Sequence, residues 1–101
     1  MFVAFLGLAN VSMAQDGSFA KNHPRRAEVN HRLYKQHQRI HQKFRDGDIT
    51  RHQAHKLYHR DRRIRHEERR MAYRHGGHLS GHDYRKLNRQ ENRMNQRIIK
   101  S

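Results

Sequence analysis

The sequence predicts an all-α fold, a small three-helix bundle or array of helical hairpins preceded by a signal peptide. Three observations carry this reading. One apolar pattern recurs three times at helical spacing, glycine-containing turns separate the copies at matched places, and the first fourteen residues hold no charge at all. The remainder is strongly basic: 23 Lys+Arg stand against 9 Asp+Glu in 101 residues, a formal charge of +14 before eleven His are counted.

The N-terminal segment comes first. Phe2-Val3-Ala4-Phe5-Leu6-Gly7-Leu8-Ala9 is an apolar run, followed by Ser12 and Ala14 at alternate positions. Small residues spaced this way after a short apolar run fit a signal peptide cleaved after Ala14. The run is too short to span a bilayer, which needs about 20 apolar residues. No Lys or Arg precedes it, as when a sequence begins downstream of a basic n-region. The expected organisation is a signal peptide at 1–14, a flexible segment at 15–23 and a helical domain at 24–101. The mature protein is then periplasmic or secreted, with no transmembrane segment after cleavage.

The helices follow from an internal repeat. Residues 32–40, 56–64 and 86–94 align as a base, Leu, Tyr or Asn, four polar residues, Arg, and Ile or Met. Leu33/Ile40, Leu57/Ile64 and Leu87/Met94 are therefore i,i+7 pairs, two turns apart on one helical face. The stripe extends through Val29 and Phe44, through Met71, and through Tyr84 and Ile98. An apolar stripe on a charged background marks an amphipathic helix, and the pattern predicts helices at about 24–45, 51–74 and 81–99. Pro24 suits a first helical position, where its missing amide costs nothing. Short connections make neighbours antiparallel. With only 33% hydrophobic residues, the core is thin, and a second copy or a ligand would help it.

The turns share Gly-x-[Ile/Leu]-[Thr/Ser], at Gly47-Asp48-Ile49-Thr50 and Gly77-His78-Leu79-Ser80. Gly47 and Gly77 suit left-handed helix stops. Thr50-Arg51-His52-Gln53 reads as a capping box, and Ser80-Gly81-His82-Asp83 repeats it with a shorter acid. The first turn also has the layout of an EF-hand loop. Calcium needs several oxygen ligands and a closing acid, yet the aligned positions hold Gln42, Phe44 and Gln53, then Ala72, Arg74 and Asp83. Calcium binding is not expected; a capped turn is.

The region from Pro24 to Lys100 resembles small exported bacterial proteins of uncharacterised function. The resemblance rests on His23-Pro24-Arg25-Arg26-Ala27-Glu28-Val29-Asn30, on Gly77-His78-Leu79-Ser80 and on Leu87-Asn88-Arg89-Gln90-Glu91-Asn92. Such proteins look like the same helix–turn–helix repeat, with Gln and Asn where this chain has His. The resemblance implies fold and export, and no activity.

Histidines form a second pattern. His52, His55, His59 and His66 fall within roughly 60° of one another on the middle helix, opposite Leu57 and toward solvent. His75, His78 and His82 repeat the spacing across a turn. Imidazoles one turn apart chelate zinc, copper or nickel, although Arg51, Arg62, Arg63 and Arg70 set a positive field against a cation. In the repeat alignment His37, Asp61 and Glu91 are equivalent, four residues after each Leu. Packed in register they make either a metal site of one His and two carboxylates or, the favoured reading, an inter-helix polar layer paired with Arg.

What remains is the charge. Seventeen of the 23 bases are Arg, whose planar fork matches phosphate and sulfate. Arg51, Arg62, Arg63, Arg65, Arg69 and Arg70 girdle the middle helix on all sides, which suits anionic polymers or envelope surfaces rather than sequence-specific nucleic acid. His66-Glu67-Glu68-Arg69-Arg70 opens like a zincin motif but places Arg70 where the second His must stand. No phosphate-cradling loop is present, Ser80 is explained as a cap, and without Cys there is no thiol nucleophile. The expectation is a non-enzymatic, exported polyanion binder, with a periplasmic transition-metal protein as the rival.

Overall fold

The structure, a computed structural model, describes residues 18–101. The signal peptide expected at 1–14 lies outside the described residues. Three long helices follow the predicted spans: α1 (Pro24–Arg45), α2 (Arg51–Arg74) and α3 (Gly81–Lys100). Each packs on both others, so they close a three-helix bundle. No helix among the described residues is long and apolar enough to cross a membrane.

The turn signature does three jobs in four residues. Gly47 and Gly77 take φ values of 80° and 92°, a left-handed conformation that costs a side-chain-bearing residue. Ile49 and Leu79 are buried in the core. Thr50 and Ser80 then cap the next helix, accepting from the Gln53 and Asp83 amides at 3.1 and 3.0 Å. Gln53 Oε1 in turn accepts from the Thr50 amide at 2.7 Å, which completes the box. In the second copy Asp83 turns away instead, and its Oδ2 lies 3.0 Å from His75 Nδ1. That same nitrogen is 3.0 Å from the Met71 carbonyl, and the His75–Asp83 contact brings the end of α2 against the start of α3.

The core collects Val29, Leu33 and Ile40 from α1, Leu57, Ile64 and Met71 from α2, and Leu87, Met94 and Ile98 from α3. Tyr84 is partly buried against it. Phe44, expected in the stripe, is 37% exposed. The reason is rotation. On α1 the buried seam runs Val29, Leu33, Gln36, Ile40, which lies to one side of Leu33, whereas Phe44 continues the other side.

Residues 18–22, the described part of the segment ahead of His23, are helical. The Phe19 ring sits 4.8 Å from the His23 ring and 5.3 Å from the Arg26 guanidinium carbon. The His23 amide donates to the Phe19 carbonyl at 2.7 Å. These contacts anchor the segment ahead of Pro24.

Candidate functional site

The bundle sorts its charges by sign. Of the nine acidic residues, Asp61, Glu68, Asp83 and Glu91 are buried, while no Lys or Arg is. Half of the eight described acids therefore face inward, while the guanidinia face outward.

The inner face carries the polar layer predicted from the repeat, with one substitution. Asp61 and Glu91 are there, but His37 is not: its side chain is 61% exposed, with Nδ1 4.0 Å from Asp61 Oδ2 and its ring 4.6 Å from Tyr58. Gln36 takes the inner place and donates through Nε2 to the Glu91 carbonyl at 2.9 Å. At 100° per residue, His37 stands about 40° to one side of Leu33 and Gln36 about 60° to the other. The seam chose the Gln36 side, the same rotation that exposed Phe44.

Glu91 is fully buried, and neither carboxylate oxygen has a hydrogen-bond partner. Burial pushes its pKa up to about 8, against the pull of Arg32 and with a further push from Asp61. Asp61 is raised to about 6, again by burial, with Arg65 opposing. His37 is shifted down by desolvation and by His41, Arg62 and Arg65. Glu91 is thus neutral at pH 7, and the guanidinium of Arg32 spends its donors elsewhere. Arg32 Nη1 donates to Asn88 Oδ1 at 2.8 Å and Nη2 to Asn92 Oδ1 at 2.5 Å, while Glu91 Oε1 lies at 3.4 Å. Arg39 repeats the arrangement on Asn95 at 2.6 Å. Asparagines one turn apart on α3 are therefore the sockets for α1 arginines. Glu68 is the paired member of the layer, with Arg26 Nε on its Oε2 at 2.5 Å.

The outer face holds an open hollow, a groove between α2 and α3. Arg60, Arg62, Arg63 and Arg70 line it from α2, and Arg93 and Arg97 from α3. Among the described residues none of these six forms an ion pair. His59 and His66 lie on the same wall, and Glu67 is the sole acid of the lining. Of the predicted polyanion residues, Arg62, Arg63 and Arg70 belong to the groove. Arg69 lines a smaller adjoining hollow with Tyr73 and Arg74. Arg65 lies on the His37–Asp61 side, and Arg51 opens α2 away from both. The girdle of cations is accordingly uneven, with a concentration the sequence reading did not give. Arg60, Arg93 and Arg97 lie outside the predicted set, although the i,i+4 spacing of Arg93 and Arg97 beside Met94 places them on one flank of α3.

The histidines of the stripe, His52, His55, His59 and His66, are all exposed, as are His75, His78 and His82. Among the described residues no group of three or more His, Asp or Glu side chains is placed to hold one metal ion. That includes His37, Asp61 and Glu91, because His37 left the layer. The structure instead brings His78 against His23, a residue outside the predicted set, with the two Nδ1 atoms 3.2 Å apart. No family model matches the chain, and no curated protein or solved structure matches it either.

Proposed function

We propose that the protein is an exported, non-enzymatic binder of anionic polymers or envelope surfaces, with the α2–α3 groove as its principal contact. The observation that carries this is the groove itself: six guanidinia without acidic partners converge on one open hollow. Withdrawal of four acids into the core removes the charges that would neutralise them. Arginine forks take phosphate or sulfate oxygens two at a time, and the groove is open enough for a chain to lie along it. Nothing in its lining discriminates one base or sugar from another, so affinity follows charge density.

Two triple variants of equal charge test the assignment. Arg63, Arg93 and Arg97 are changed to Gln in one, and Arg51, Arg65 and Arg69 to Gln in the other. Affinities for lipopolysaccharide and single-stranded DNA are then measured at about 0.1 M salt. The groove variant is expected to lose roughly tenfold or more and the control less than threefold. Equal losses would show that the cations act without a preferred seat. The rival metal-binding reading separates on its own titration: at about 0.15 M salt, stabilisation by zinc that is lost when His52, His55, His59 and His66 are all changed to Gln would favour it.

A further inference from the structure

We infer that His23 and His78 form a two-imidazole clamp for a divalent transition metal, at the end of the bundle where α1 begins and the α2–α3 turn passes. The two residues are 55 positions apart in sequence, so only the fold brings them together. Their Nδ1 atoms are separated by 3.2 Å and their ring centroids by 4.5 Å. Imidazole nitrogens bind zinc or copper at about 2.0–2.1 Å, so two of them 3.2 Å apart subtend roughly 100° at a shared ion. That angle lies between square-planar and tetrahedral geometry and suits both metals.

The backbone on either side is fixed. His23 donates its amide to Phe19 and accepts from Ala27 at 2.9 Å, and its ring lies beside Phe19. His78 follows two glycines with positive φ and donates its amide to the His75 carbonyl at 3.3 Å. Gly77 lies directly under the His23 ring, since a Cβ there would stand 3.5 Å from His23 Cε1. Without metal one Nδ1–H faces the other ring's Nδ1 as an N–H···N contact; on metal binding that proton passes through solvent to the same ring's Nε2, which leaves an Nδ1 lone pair on each neutral imidazole for the ion. The rings are tilted by 34°, and rotation about χ2 brings both lone pairs onto the ion. His78 is exposed, so its ring has room to turn and water can fill the remaining positions. Arg25, two residues after His23, donates through Nη1 to the Leu79 carbonyl at 3.0 Å. His75 is already committed to Asp83 and Met71 and is not part of the clamp.

Copper(II) is the probe, because it binds imidazole most tightly among the first-row divalent ions. Titration of the full chain, followed by electron paramagnetic resonance and by melting, should show one strongest site per molecule with two imidazole nitrogens and a raised Tm. His23→Gln and His78→Gln should each weaken that site tenfold or more. A His52→Gln/His55→Gln/His59→Gln/His66→Gln variant should retain it. The melting of each metal-free variant identifies any loss due to unfolding, and His23→Asn provides a second substitution at the helix start. Retention of the strongest site in both single variants, or its loss in the stripe variant alone, would overturn the clamp. Binding of single-stranded DNA by His78→Gln should be unchanged, which keeps the clamp separate from the groove.

Discussion

Glu91 decides how this molecule responds to pH. Its folded pKa, raised to about 8, means that the native state holds a proton the unfolded chain has released. That contribution is complete below the ordinary carboxyl range and is lost as pH climbs through 8. Asp61, raised to about 6, acts in the same direction at lower pH. His37 is lowered, so its contribution is present above the ordinary imidazole value and fades on acidification. Above pH 6.5 Glu91 dominates, and stability should fall by on the order of 2 kcal/mol between pH 6 and 9. Thermal melts of the parent and Glu91→Gln across that range check this, with a flatter profile expected for the variant. Glu68, unlike Glu91, has a hydrogen-bonded partner in Arg26. Removing the guanidinium in Arg26→Met leaves a buried carboxylate unpaired, at a cost of about 3 kcal/mol in denaturant unfolding, whereas Glu68→Gln should cost less. The acid positions of this layer were legible in the repeat. Gln36 was not, since a periodicity places a residue beside a stripe without saying which side its neighbours occupy.

Helices and turns were the most readable level. Leu-x6-Ile spacing, Gly47 and Gly77, and the Thr50–Gln53 pair each follow from local chemistry, and local chemistry is what a sequence records directly. The structure adds that the turn's Ile49 and Leu79 are core residues, so each turn is anchored at its centre as well as at its ends. The two caps provide a comparison. Thr50→Ala removes a complete box and should cost about 1 kcal/mol, measurable as a lower Tm, and Ser80→Ala somewhat less because its box is only half made. Gly47→Ala should cost about 1 kcal/mol through its positive φ alone, as a Cβ there meets nothing within 4 Å. What could not be read at this level was rotation: a turn of α1 by roughly 30° about its axis displaced both His37 and Phe44 from the positions the stripe assigned them.

At the scale of the whole molecule, the formal +14 understates what a partner meets. Four acids are buried and one of them is neutral at pH 7, so the surface is more positive than the composition. The excess of Arg was plain in the sequence; its gathering between α2 and α3 was not, because it depends on how two helices distant in sequence lie side by side. The groove account rests on charge alone, and its most direct test is the salt dependence of binding to single-stranded DNA. Six phosphate contacts predict a straight line of log affinity against log salt with a slope of roughly −4, shallower by about 2 in the Arg63→Gln/Arg93→Gln/Arg97→Gln variant. Affinity that persists at about 1 M salt, where charges are screened within about 3 Å, would contradict it.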